Sequence, residues 1–324
     1  MGITQHVKVA ILLATYNGAR FVEQQIESYR KNDSPFSLHW LDDHSSDNTR
    51  DLVRSATRNA GIELNEWHQP EHLGVPAAFF QLLECVESDL YLFSDQDDIW
   101  EPGKIDAVVA HLAPKMTSSD LCFTDPLMFR ASEPTKLYSF FDVLKVKPEI
   151  ATQESRLFMG LAQGNTQAFA RPLRELFLAH KDIARSHALM HDLWMYSIAV
   201  ASGTVVLLSN RPTTLYRCHE NNASASFGGW TGSGVGRLTM TWAQHQMYRR
   251  RLAHHAQGFI RASATLPKGA KLDRALAIAR LVAGLDRRQS PVRVARLVLN
   301  RAMWPSRRLA AGLATTCLCS DARA

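Results

Sequence analysis

Cysteine is scarce in this chain, with five in 324 residues, and Cys85, Cys122, Cys218, Cys317 and Cys319 form no paired CxxC spacing. An odd, scattered set favours neither a disulfide framework nor a zinc site and suits a reducing cytosol. Long hydrophobic runs are missing as well. Apolar stretches such as Val205–Leu208 and Leu309–Leu313 fall far short of the ~20 residues that span a bilayer. No charged, apolar, small-residue leader pattern opens the sequence, so a cytoplasmic protein, soluble or peripheral on the inner face of the cell membrane, is expected. Internal repeats and low-complexity tracts are also lacking, which rules out solenoid and fibrous architectures.

Acid is nearly absent from one end. Beyond Trp230 lie 17 of the 37 Lys and Arg residues but 3 of the 31 Asp and Glu, which leaves 20 and 28 in the first part. The two parts therefore carry about −8 and +14 and have opposite electrostatic roles. Residues 1–230 are expected to form a catalytic domain able to hold divalent metal, and residues 231–324 a basic helical region. Gly228-Gly229 and Gly232–Gly236 mark the hinge-like stretch between them.

Short apolar runs alternate with helical spacing through the first part. Val7–Ala14 reads as a strand buried on both faces, followed by strands at Leu38–Leu41, Ile62–Trp67 and Leu90–Phe93. Helices are predicted between them at Asp47–Ala60, Ala77–Val86 and Pro102–His111. This order predicts an α/β fold with a parallel, doubly wound sheet, whose ligands bind beyond the carboxyl ends of the strands. From Leu121 the pattern is less regular, with strands expected at Leu121–Phe129, Leu161–Ala170 and Thr204–Leu208 and helices near Leu173–His180 and Asp192–Ala201.

Ser94-Asp95-Gln96-Asp97-Asp98-Ile99-Trp100 places three carboxylates directly after a strand. In extended backbone Asp95 and Asp97 point the same way, and two hard oxygen ligands suit Mg²⁺ or Mn²⁺ carrying a diphosphate. The competing reading is a solvated acidic turn, against which stands the mutual repulsion of three carboxylates without a cation. Leu41-Asp42-Asp43-His44-Ser45-Ser46-Asp47 also follows a strand and opens a helix. Ser46 or Asp47 serves as an N-cap there, while Asp42 and Asp43 exceed what capping requires. Trp100 reads as core, and Gly164-Asn165 as a turn.

The ordered set ILLATYNG, LDDHSSDNT, the Leu73–Val75 segment and LFSDQDDIW resembles family 2 glycosyltransferases with the GT-A fold, especially bacterial rhamnosyltransferase-like members. The resemblance spans about Val7 to Ser224. It implies a mixed, mainly parallel sheet flanked by helices, and a metal-dependent, inverting transfer of a sugar from a nucleotide-diphosphate donor. The donor would be dTDP-rhamnose or a UDP-sugar, and the acceptor a hydroxyl of a surface polysaccharide or lipid-linked glycan. Carried over position by position, Thr15 and Tyr16 would line the base pocket, and Asp42 and Asp43 would hold base and ribose. Asp95 and Asp97 would carry Mg²⁺ or Mn²⁺, with Arg217 and His219 from the Tyr216–Asn222 stretch closing over the diphosphate, His219 as a further metal ligand. Asp192 in Met190–Trp194 would be the catalytic base, and the Gly164-Asn165 segment would lie beside the acceptor. Ala78 and His72 stand where many relatives have asparagine, and the QxxRW motif of processive synthases is absent.

For single residues a structural role competes, with Asp192 as a helix cap and His219 as a loop histidine. A sugar nucleotidyltransferase would need a Gly-rich, Arg-containing loop after the first strand, which ATYNGAR does not supply. A phosphatase of the haloacid-dehalogenase type would need a nucleophilic Asp where Ala14-Thr15 stands. A non-catalytic protein that binds an anionic surface through its basic end is the remaining rival. No nucleic acid partner is expected, because the arginines lack interleaved aromatics for base stacking. Leu272, Leu276, Ala279, Val282 and Leu285 follow helical spacing among Lys271, Arg274, Arg280, Arg287 and Arg288, and the mixture recurs with Arg293, Arg296 and Arg301. These helices either cap the catalytic domain or lie on an anionic leaflet.

Overall fold

The computed structural model describes residues 7–144, 146–147, 157–208, 213–219, 222 and 242–286. Its centre is a seven-stranded sheet built on β1 (Val9–Thr15), whose residues from Ala10 to Leu13 are fully buried. An apolar run with no polar alternation can only sit between two covered faces. Next along the chain come α1 (Val22–Tyr29), β2 (Ser37–Asp42), α2 (Thr49–Ala60), β3 (Leu64–Trp67), α3 (Val75–Cys85) and β4 (Leu90–Ser94). After β5 (Ile99–Trp100) follow α4 (Lys104–Leu112), β6 (Leu121–Phe123), β7 (Leu127–Arg130), β8 (Glu133–Ser139) and α5 (Phe140–Leu144). The remaining elements are β9 (Ala168–Ala170), α6 (Arg171–Ala179), α7 (Lys181–His187), α8 (His191–Ser202), β10 (Val205–Leu207), β11 (Thr214–Cys218), α9 (Trp242–Ala262) and α10 (Ala270–Ala283).

The strand order is β10-β6-β9-β4-β1-β2-β3, parallel except for β9, which runs antiparallel to both β4 and β6. From β1 the chain winds outward through β2 to β3, then returns to place β4 on the other side of β1. That reversal opens a crevice at the carboxyl ends of β1 and β4, the usual ligand position in such sheets. Register sets what lines it. Thr15 pairs with Asp42 and Leu13 with Ser94, so Tyr16, Asp43 and Asp95 all emerge at the same edge.

Alternate residues of β1 face different cores, as a two-residue period requires. Val9, Ile11 and Leu13 pack with Val22, Ile26 and Tyr29 of α1, Val53 of α2 and Ile105 of α4. Ala10 and Leu12 face the larger core, which joins Phe79 of α3, Phe177 of α6 and Trp194 of α8 to Leu252 and Phe259 of α9 and Leu272, Ala275, Ala279 and Val282 of α10. Burial of one such side chain stabilises by about 1.5–3 kcal/mol, so α9 and α10 are integral to the fold through their apolar stripe. The helical spacing expected for residues 272–285 is present, with Leu276 half-buried beside it. Arg287, Arg288, Arg293, Arg296 and Arg301 lie outside the described residues.

Two expected strands take a different form. The 121–129 run divides at Thr124–Pro126 into β6 of the large sheet and β7 of a second, four-stranded sheet ordered β5-β11-β7-β8. Pro126 has no N–H for a ladder, and the Asp125 carboxylate turns the chain by accepting from Phe141 N at 3.1 Å. Of the 161–170 run only Ala168–Ala170 is strand, because Gly164–Thr166 closes a 3-10 turn with Thr166 N and Oγ1 both donating to Gln163 O. In the small sheet, β11 is antiparallel to β5 with Thr214 opposite Trp100. That pairing carries Arg217 and His219 back over the acid segment. Trp100 is fully buried, the core position expected for it.

Candidate active site

Thr15 and Asp42 meet across β1 and β2, with Thr15 Oγ1 donating to Asp42 Oδ1 at 2.9 Å and accepting from Trp40 Nε1 at 2.9 Å. Asp42 also accepts from Ser45 N at 2.9 Å and Arg50 Nε at 2.6 Å. Burial pushes its carboxyl up, but the Ser45, Arg50 and Thr15 hydrogen bonds outweigh burial and hold it below the usual range. Asp43, 3% exposed, accepts from Leu73 N and Gly74 N at 2.7 Å and lies 3.0 Å from His72 Nδ1. The Leu73–Val75 segment is thereby tied to the end of β2. Tyr16 stands 49% exposed at the rim, its ring 4.6 Å from that of His72. A solvent-facing aromatic beside a buried acid offers a stacking surface and a hydrogen-bond acceptor to one ligand.

The loops after β1 and β2 are clamped together. Asn17 N donates to Ser45 Oγ at 2.9 Å, and Ser46 N returns a bond to Asn17 Oδ1 at 2.8 Å. Asn17 and His44 hold φ of 49° and 65°, the left-handed region that side chains other than glycine seldom adopt. Such conformations persist where surrounding contacts over-determine them, which is common at ligand sites. The N-cap of α2 is Asn48, without a side-chain cap bond, in place of the Ser46 or Asp47 expected; Asp47 instead ties the two loops, accepting from Thr49 N at 3.0 Å and Ala19 N at 3.2 Å.

The acid segment divides its labour. Asp98, fully buried, accepts from Arg217 N at 3.0 Å and from the Asn165 side chain, so it braces the structure and does not face the crevice as a third free acid. Asp97 Oδ2 lies 2.8 Å from His219 Nε2. Among the described residues no donor meets the carboxylate of the half-buried Asp95, which lies where burial and then the charges of Asp98, Asp97 and Asp192 hold it well above the usual carboxylate range. Arg217 lies sandwiched 4.8 Å from the rings of both Phe21 and Phe129, its Nε donating to Asp97 O at 2.8 Å. At 6% exposure it orders the segment from behind, and burial lowers its basicity.

Asp192 stands in the first turn of α8. Its Oδ2 accepts from Gly164 N at 3.1 Å and its Oδ1 from Leu193 N at 2.7 Å. Burial pushes it up to about 6 against these two bonds. Met190, not Asp192, is the N-cap of α8 and no side chain caps that helix, so the capping role that competed for Asp192 is not the one observed.

Among the described residues no three His, Cys, Asp or Glu side chains converge as a self-sufficient metal site. The donor chemistry nonetheless fits a hard cation completed by ligand oxygens. Mg²⁺ is commonly held by one or two carboxylates plus substrate phosphates and water, and Asp95 offers a carboxylate that only positive charge would relieve. His219 Nε2 lies against Asp97 Oδ2, so a cation between Asp95 and Asp97 would meet a carboxylate already oriented by the imidazole.

Several residues of the site carried no recognisable sequence signal. Gln96 bridges the crevice, accepting from Tyr16 N at 2.9 Å and donating to Tyr16 O at 3.0 Å. A Cβ on Gly18 would sit 2.1 Å from Gln96 Oε1, so glycine is what lets this bridge close. Lys104 is buried beneath Trp100, and Phe21 carries both Arg217 and His219 against its ring. The DQDD spacing pointed to the carboxylates but concealed that the amide between them does the bridging.

Comparison with known proteins agrees with this geometry. Residues 10–125 match the family model for glycosyl transferase family 2. The chain is 27% identical over 219 residues to the dTDP-rhamnosyl transferase RfbG of Shigella flexneri, covering 65% of this chain and 72% of that one. Among solved structures it is similar to the mannosyltransferase PcManGT of Pyrobaculum calidifontis in complex with GDP-Man and Mn²⁺, at TM-score 0.55 and 16% identity over 98% of this chain and 89% of that one. It is also similar to S. aureus TarS 1-349 in complex with UDP-GlcNAc, at TM-score 0.53 and 15% identity over 97% and 91% of the two chains. The expected mixed, mainly parallel sheet flanked by helices is the one observed. Over residues 10–125 the chain is thus similar to glycosyl transferase family 2, and its fold is that of the GT-A glycosyltransferases.

Proposed function

We propose that the chain transfers a sugar from a nucleotide-diphosphate donor, dTDP-rhamnose or a UDP-sugar, to a hydroxyl of a surface polysaccharide or lipid-linked glycan, with inversion. The observation that supports this reading is the Gly164–Thr166 turn, which ties Asp192 through the Gly164 N–H and the acid segment through the Asn165 side chain on Asp98. Tyr16 and Asp43 would take the base and Thr15 and Asp42 would order that pocket. Asp95 and Asp97, with Arg217 and His219 behind them, would hold Mg²⁺ or Mn²⁺ and the diphosphate. A divalent cation there supplies charge to stabilise the departing nucleotide diphosphate. Asp192 accepts the proton of the acceptor hydroxyl as it attacks the anomeric carbon, and a single displacement inverts that centre.

Thermal shift of the full chain with UDP-, dTDP- and GDP-sugars plus Mn²⁺ or Mg²⁺ tests the donor assignment, since a ligand at 100 times its Kd stabilises by about 2.7 kcal/mol. Turnover to free nucleoside diphosphate and glycosylated acceptor separates a glycosyltransferase from a nucleotidyltransferase or an inert binding protein. Failure of every sugar nucleotide to raise Tm would sink the proposal.

The basic end supports a second element of the reading. Arg250, Lys271, Arg274 and Arg280 are exposed on α9 and α10 against the exposed acid Asp273, a surface suited to an anionic leaflet where a lipid-linked acceptor would lie. No described helix is long and apolar enough to cross a membrane.

A further inference from the structure

Lys104 is 1% exposed although it sits in the first turn of a helix, where a lysine ordinarily extends to water. Its ammonium instead points inward, donating to Asn165 O and to Thr214 Oγ1 at 2.9 Å, with Nζ 3.8 Å from the centre of the Trp100 ring. Three donors thus meet a carbonyl, a hydroxyl and an aromatic face. Among the described residues no carboxylate lies within ion-pair distance of it; Asp98 and Asp95 act on it only through space.

Stability alone does not call for this arrangement. Apolar residues of similar volume often replace buried charges without loss, and Thr214 Oγ1 itself reaches Asn165 O at 3.3 Å. What the lysine does is add a buried tie between segments that also meet through Asp98 and Thr214. Asn165, whose carbonyl it holds, donates through its side chain to Asp98, and Asp98 accepts from Arg217 N at 3.0 Å. The preceding residue, Gly164, donates its N–H to Asp192 Oδ2 at 3.1 Å, and Gln167 Nε2 from the same turn donates to Asp192 O at 3.0 Å. Thr214 belongs to β11, which carries Arg217 and His219. Donor-side acids, the 164–166 turn and β11 therefore share one node.

We infer that Lys104 is a positioning residue for the transfer step: its buried ammonium fixes the Gly164–Thr166 turn and so sets the carboxylate of Asp192 against the acid segment. This rests on the reading of Asp192 as the base. Lys104 touches no reacting atom, and its effect travels through Asn165 and Gly164. A shift of about 1 Å in a reacting group costs on the order of 10²-fold in rate.

The test is Lys104→Met in the full chain, with steady-state kinetics and amide hydrogen exchange. The expected result is a fall in kcat of ~10-fold or more with donor KM within ~3-fold, and faster exchange at the Gly164 amide than in the parent protein. Unchanged kcat overturns the inference, as does a rise in donor KM with kcat preserved or unchanged exchange at Gly164. If Lys104→Met does not fold, Thr214→Val, which keeps the ammonium and removes one acceptor, should lower kcat in the same direction by a smaller factor; no effect overturns the inference equally. Asp192→Asn run in parallel distinguishes the two levels. Full turnover by that variant refutes the base assignment itself, whereas its inactivity beside an unaffected Lys104→Met refutes only the role of Lys104.

Discussion

At the residue scale, the acids of the site differ in what surrounds them, and that difference fixes what each substitution should do. Asp97→Asn removes charge from the segment beside Asp95 without touching the brace at Asp98. Metal-dependent transfer should be lost while the Tm is retained; full activity at saturating Mn²⁺ would refute the assignment. Asp192 is pushed up to about 6 by burial, and a base works only when deprotonated, so kcat should rise as pH increases through about 6 and level off above it. Asp192→Asn should abolish that limb and lower kcat by ~10²-fold or more while donor affinity persists. The raised position of Asp95 gives a third expectation: cation and nucleoside diphosphate binding should release protons, read by calorimetry in buffers of different ionisation enthalpy. Equal heats in all buffers would count against it. The carboxylates themselves were legible because charge directly after an apolar strand has few structural uses. Lys104 was not, since a lysine four residues after Trp100 in a helical run looks like any solvated surface position, and only tertiary contacts turn it inward.

At the scale of elements, the alternating strands and helices up to residue 112 were readable from apolar period except the two-residue β5, because β1 and β4 are buried on both faces and the helices carry apolar stripes, while β3 is an edge strand with no fully buried residue. Beyond residue 112 the signal held for α6, α8 and β10 and was lost at β8 and β9 for a physical reason. β8 runs largely exposed from Glu133 to Leu137, so it has no apolar period to detect. β9 is a three-residue strand whose neighbour in sequence is a tight turn. The approach of α9 to α7 was equally hidden, although it is close enough to depend on one glycine. A Cβ on Gly258 would lie 2.4 Å from His187 Cβ, and backbone must move to admit it. Gly258→Ala should therefore destabilise by about 1–3 kcal/mol through overpacking. Denaturant midpoints would measure this, with kcat at low temperature unaffected, since neither residue lies at the crevice. A neutral result would mean that α7 and α9 have slack between them.

For the whole molecule, the opposed charges of the two ends make membrane attachment an experimental question. If the basic end docks on an anionic leaflet, the full chain should sediment with vesicles containing acidic lipid and dissociate as salt rises, because the Debye length shrinks from ~10 Å at 0.1 M to ~3 Å at 1 M. Substituting Arg250, Arg274 and Arg280 by Gln should weaken that binding while sparing transfer to a short soluble acceptor. Equal binding to neutral vesicles, or none to either, would leave α9 and α10 as a helical layer only. The antiparallel β9, wedged between β4 and β6, has a further consequence during synthesis. β4 gains its partner β1 early, yet its other edge stays open until residues 168–170 leave the ribosome, and the core face over Phe79 and Phe93 waits longer still for α8, α9 and α10. A nascent chain that ends near residue 125 would expose an unpaired strand edge and an uncovered apolar face together, the two features that most invite association with other chains. Residues 10–125, which bear the family signature, are thus a unit of descent but not a unit of folding. Expressed alone, that segment should depend on chaperones or precipitate.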